Sequence, residues 1–185
     1  MIIASQKRKS NIAEYILYMW QVEDIIRANN LEIDEIKKNV IDRFEGLTDD
    51  QRRQMVEWYE SLIDMMRLEG VQKSGHLQIN KNILNQLVQL HQKLLADPSF
   101  PEYTAEFYRT LPYIVELRAK AGDAPQGEIE TCFTALYGML LMRLQKKEMT
   151  PETAAAIKQI SRFIAALSRD FHLDEEDKLF KKDDD

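Results

Sequence analysis

Apolar residues recur every three or four positions along almost the whole chain, and no stretch alternates with a period of two. That pattern places one stripe of each segment on a helix face and leaves no half-buried strand. Punctuation is sparse: 185 residues hold 6 glycines and 5 prolines, so helices can run long between breakers. The expected fold is therefore all-α, a compact bundle of about seven helices.

The first helix is expected from about Ser10 to Ala28, with Asn11 and Glu14 placed as a capping box. A second covers about Ile33 to Phe44, with Ile33, Ile36, Val40 and Phe44 on one face and Gly46 beyond its end. Thr48 and Gln51 form the next capping box. They open a helix to about Glu69 whose inner face carries Met55, Trp58, Tyr59, Leu62, Met65 and Met66. A loop over Val71–His76 precedes a fourth helix, about Ile79 to Ala96, with Ile79, Ile83, Leu87, Leu90 and Leu94 inward. Pro101 suits the first position of a fifth helix reaching about Ala121. Pro112 lies inside it, opposite Phe107, Leu111 and Ile114, so a kinked helix and a broken one are both open. Gly122–Gly127 reads as a loop. The sixth helix, about Glu128 to Lys147, is apolar almost all round and reads as the central buried one, with Gly138 admitting a close neighbour. Thr150 and Pro151 start the seventh, whose inner face holds Ile157, Ile160, Phe163, Ile164 and Leu167. The expected organisation is a single helical domain over residues 1–173 and an acidic C-terminal tail over 174–185, with two subdomains as the alternative.

Composition narrows the setting. The lone cysteine, Cys132, cannot form an internal disulfide, so nothing points to an oxidising compartment. Lys7, Arg8 and Lys9 precede an apolar run, but Glu14, Glu23 and Asp24 interrupt it, which argues against a signal peptide. No apolar run approaches the roughly 20 residues of a membrane span. The expected location is the cytoplasm, with no membrane partner. The formal charge of −6 is uneven: Asp170 to Asp185 carries eight acids and three lysines, net −5, and the rest of the chain only −1. A nearly neutral body does not point to nucleic acid as the partner.

The N-terminal run Met1-Ile2-Ile3-Ala4, the basic Gln6-Lys7-Arg8-Lys9, and Asn11-Ile12-Ala13-Glu14-Tyr15 leading into Tyr18-Met19-Trp20-Gln21-Val22-Glu23-Asp24-Ile25-Ile26-Arg27 resemble the start of an uncharacterised bacterial family of helical proteins, a domain of unknown function of about 185–200 residues. The resemblance implies a bacterial cytoplasmic protein. It implies no activity, cofactor or catalytic residue.

Among residues that might carry chemistry, Glu23 lies within the apolar face formed by Ile12, Tyr15, Ile16, Met19, Val22 and Ile26. Arg27, one turn later, is placed to pair with it. A carboxylate on an apolar face is costly unless it is partnered. The expectation is a semi-buried ion pair, or a contact to an orphan backbone N–H of a neighbouring helix, with a functional pocket as the alternative. Trp20 and Leu17 widen the apolar girth of the same helix, so it is either central or packed on another chain, where tryptophan is a common anchor. His76, His91 and His172 are not preceded at three residues by glutamate, and no His-Glu-x-x-His occurs, so no metal site is expected. His91, among Leu84, Leu87, Leu94 and Leu95, reads as a core or boundary histidine. Cys132 reads as a small buried hydrophobe. Lys158, Arg162 and Arg169 stripe the outer face of the seventh helix, either as a solvated face or as a phosphate-binding patch. There is no Gly-x-Ser-x-Gly, phosphate loop or dinucleotide fingerprint, and no cofactor is expected.

Three classes of function follow. The first is a non-catalytic protein-interaction or scaffold module, with a protein partner or a second copy. The second is a small-ligand or nucleic-acid binding protein using Lys158, Arg162 and Arg169 or the N-terminal basic run. The third is an enzyme with an unrecognised site.

Overall fold

The computed structural model describes residues 2–120 and 126–180. Among them are eight α-helices, one 3-10 turn and no strand. The helices are α1 (Ile2–Ser10), α2 (Ile12–Ala28), α3 (Ile33–Asn39), α4 (Asp49–Leu68), α5 (Gln78–Ala96), α6 (Pro101–Lys120), α7 (Glu128–Leu144) and α8 (Pro151–Glu175), with the 3-10 turn at Ile41–Arg43.

The added helix is α1. Its polar, basic second half hides the periodicity, but Lys7, Arg8 and Lys9 fall in its last turn, where cations suit the helix dipole. Asn11 separates it from α2. The Asn11 Oδ1 accepts from the backbone N–H of Ala13 at 3.0 Å and of Glu14 at 3.1 Å, capping α2.

The second expected helix stops early. It ends at Asn39, and the 3-10 turn rotates the chain so that Ile41 is buried while Phe44, assigned to the inner face, is 40% exposed. The capping box at Thr48 forms: Gln51 N–H donates to Thr48 Oγ1 at 3.2 Å and Thr48 N–H to Gln51 Oε1 at 2.9 Å. Gly70, with φ of 71°, ends the segment in a left-handed conformation that costs glycine little. Helix α6 is continuous through Pro112, which is exposed, as a proline on a solvent-facing side allows. The loop expected at 122–127 lies mostly outside the described residues, as does the tail from residue 181. Helix α8 opens with the Thr150 cap and Pro151 and runs on to Glu175.

By internal contacts the chain divides into two units. One comprises α1 and the chain from Tyr18 to Asn82. Its buried side chains include Trp20, Val22, Ile26, Ile36, Ile41, Tyr59, Leu62, Ile63 and Met66. The other comprises Asn11–Leu17 and the chain from Ile83 onward. Helices α6, α7 and α8 pack on one another in it. Helices α6 and α8 run antiparallel, and the Gln159 side-chain amide bridges them to Glu106 Oε1 at 2.7 Å and Thr110 Oγ1 at 3.2 Å. The Phe180 ring sits edge-on to Phe100 at 5.4 Å, so the chain past α8 touches the turn before α6.

The reading of the sixth helix as a central, buried one is corrected. The first half of α7 is buried at Ile129, Thr131, Cys132, Phe133 and Leu136. From Tyr137 to Met142 every residue is only half-buried, and Leu144 is 59% exposed. An all-apolar circumference does not specify how much of it finds a neighbour.

Candidate functional site

Three residues of α2 singled out by the sequence, Trp20, Glu23 and Arg27, meet at the loop between α4 and α5. They do so without Glu23 and Arg27 pairing. Glu23 is wholly buried, and each of its oxygens is occupied. Its Oε1 accepts from the Leu77 backbone N–H at 2.9 Å and from the Asn80 side-chain amide at 2.7 Å. Its Oε2 lies 2.6 Å from His76 Nδ1. The His76 ring stacks on Trp20, centroids 4.1 Å apart and planes 11° from parallel. Arg27 gives one guanidinium nitrogen to Asp24 at 2.8 Å and the other to the carbonyls of Val71, at 3.2 Å, and Gly75.

The arrangement is a two-handed clamp. The carboxylate takes the donors of His76, Leu77 and Asn80, and the guanidinium one turn later supplies donors to the carbonyls of Val71 and Gly75. The expected Glu23–Arg27 pair is therefore corrected: a loop with both kinds of backbone group to satisfy separates the two charges. The other expectation for Glu23, a contact to an orphan N–H of a neighbouring helix, describes its bond to Leu77. That N–H belongs to the four that open α5 without an intrahelical partner. The next, on Gln78, is taken by Glu69 Oε2 at 2.6 Å. Two carboxylates thus stand at the positive end of α5.

The clamp explains an inversion in α5. Ile79, expected inward, is 38% exposed, and Asn80 beside it is 1% exposed. With a carboxylate opposite, the inward position of the first turn takes an amide donor instead of an aliphatic chain. The sequence places His76 only at the end of a loop. Its place in the clamp had no local signal, because the partner carboxylate lies 53 residues earlier.

In the second unit His91 is buried against the rings of Tyr103, Phe107 and Phe163. Its Nδ1 is 2.7 Å from Tyr103 Oη. Burial pushes the His91 pKa down to about 4, so the ring is neutral at pH 7 and its 3.9 Å approach to Glu128 is not an ion pair. Burial likewise raises the Tyr103 hydroxyl and pushes the Cys132 thiol up to about 12. A thiol so held is no nucleophile at neutral pH.

The basic stripe of α8 divides between two grooves. Lys158 and Arg162 line one of about 490 Å³ against α7, together with Arg143, Met139 and Met149. Arg162 and Arg169 line another of about 700 Å³ against α6, where Glu102, Glu106 and Arg109 also stand. Arg169 is held by the buried Asp170 at 2.9 Å. The side chains of Arg143, Lys158 and Arg162 have no hydrogen bond or ion pair among the described residues. Among those residues no cluster of His, Cys, Asp and Glu suits a metal ion, and no helix is long and apolar enough to cross a membrane.

No curated protein and no solved structure matches the chain. The profile of the family described as Domain of unknown function (DUF4924) matches residues 1–178. The resemblance first visible in the N-terminal thirty residues therefore extends through nearly the whole chain, and the protein belongs to that family.

Proposed function

We propose that the protein is a non-catalytic helical interaction module whose docking surface is the outer side of the second half of α7. One observation carries this reading. On that side Gly138, Leu141 and Met142 are only partly buried, a Cβ at Gly138 would meet nothing within 4 Å, and Leu144 beyond them stands 59% exposed. Contiguous apolar surface of this kind marks interaction sites more often than chance exposure does. The clamp supports the same reading from the other unit. Glu23, the group best placed for acid–base chemistry, has both oxygens committed to the loop, which is the work of a structural anchor. A bacterial cytoplasmic setting, taken from the resemblance and from a single buried thiol, suits such a module.

The reading is tested by Leu141→Lys. If this surface serves docking and not folding, the substitution leaves the melting temperature within about 2 °C, since surface changes fall within about ±0.5 kcal/mol. It also reduces the fluorescence of a bound apolar dye. A fall of many degrees would show that the face belongs to the core and would end the proposal.

A second reading rests on the unpaired Arg143, Lys158 and Arg162 around the α7–α8 groove. They form a cationic rim that suits an anionic small ligand or nucleic acid. Binding that weakens steeply with salt and is lost in Arg162→Glu would favour it.

A further inference from the structure

We infer that the partner of the α7 surface is a second copy of this chain, packed antiparallel about a two-fold axis at Gly138; this rests on the docking reading above. The observations lie along one side of α7. A Cβ built at Gly138 meets nothing within 4 Å, so the helix surface there is open. A neighbouring backbone can approach at a glycine more closely than elsewhere, and no other part of this chain does so among the described residues. Around it, at helical spacing, Thr134 is exposed, and Ala135, Leu141 and Met142 are half-buried.

A two-fold contact must be complementary to itself, with each residue facing the one equally far on the other side of the axis. About Gly138 this pairs Thr134 with Met142 and Ala135 with Leu141, small residues against large ones. At the ends of the contact it brings Glu130, in the first turn of one copy, toward Lys146, in the turn that follows the last residue of the other copy's helix. Neither of these charges has a hydrogen bond or ion pair among the described residues. The first turn of α7 is acidic, with Glu128 and Glu130, and Lys146 and Lys147 follow its end. A parallel pair would place like charges together, whereas the antiparallel pair sets each acidic start against a basic end, twice per dimer. Complementary charge of this kind fixes orientation and register. The helix dipoles oppose one another in the same arrangement.

Sedimentation of the full chain at low salt tests this. The expected result is a monomer–dimer equilibrium. Gly138→Leu should abolish the dimer while leaving the monomer's melting temperature unchanged or higher, because the site is open and leucine is the better helix former. Glu130→Lys should weaken association on the order of tenfold, and Glu130→Lys with Lys146→Glu should restore it. A chain that stays monomeric at every concentration overturns the inference. So does a dimer indifferent to both Gly138→Leu and Glu130→Lys, which would place the second copy elsewhere. Either result leaves the docking surface itself to be judged by Leu141→Lys, whose readout is stability and dye binding.

Discussion

Helices α2 and α7 look alike in sequence and behave oppositely in the structure. Both are apolar around most of their girth. In α2 one face is fully covered, with Ile12, Ile16, Met19, Trp20, Val22 and Ile26 all buried and a carboxylate among them, while Leu17, Tyr18 and Ile25 are only half-buried. In α7 only the first half finds cover, and leucines and methionines of the second half are left half-exposed. A charge inside one helix and aliphatic chains outside the other show that hydrophobicity alone does not rank positions by burial. What α2 has and the second half of α7 lacks is a fully buried face, with polar groups to meet the one acid within it.

The sharpest way to break the contrast is Glu23→Ala. It strands the Leu77 N–H, the Asn80 amide and His76 in a buried site, so a loss of about 3–5 kcal/mol in denaturant unfolding is expected. Replacing Arg27 by an apolar residue in the same chain should deepen the loss, because Arg27 holds other groups of the loop. A rescue would mean that the two side chains neutralise each other after all. The matching change on α7, Leu141→Lys, is expected to be silent.

The second prediction concerns a polar group buried in the second unit. His91 is held near pH 4, below its value in an unfolded chain, so between about pH 6.5 and 4 the unfolded state binds a proton that the folded state refuses. Stability should fall as the pH drops through that window, with a slope approaching about 1.4 kcal/mol per unit, and be fully present above it. In His91→Phe the slope attributable to this ring should vanish. An unchanged profile would show that His91 takes up its proton in the folded state.

The smallest effect is expected at the C-terminal end. The sequence presents residues 174–185 as an acidic tail, yet Phe180 lies against Phe100. Truncation after Leu173 should cost about 1 kcal/mol, the scale of one half-exposed aromatic contact. A zero cost would mark the contact as incidental.

Periodicity and caps made the helices legible. Thr48 with Gln51 and Thr150 with Pro151 are local signals, and local signals placed α4 and α8 well. The resemblance at the N-terminus also proved sound. Two things were not legible. Helix α1 has too few apolar positions to show a stripe, and Phe44 was misassigned because a 3-10 turn changes the rotation per residue from about 100° to 120°. The clamp was half visible. Trp20, Glu23 and Arg27 stood out as residues out of keeping with their surroundings, but their partners at 71–80 are joined to them only through the fold.

That distance has a consequence for how the chain acquires its structure. The first turn of α5 has its Leu77 amide satisfied by a carboxylate 54 residues upstream. A stretch of that length must be drawn into a loop before the bond can form, and closing it costs entropy that no nearby contact repays at once. Helix α5 on its own therefore begins with a frayed end. The turn closes only when α2 has arrived with its acid, which ties a local event in the middle of the sequence to the prior placement of its beginning.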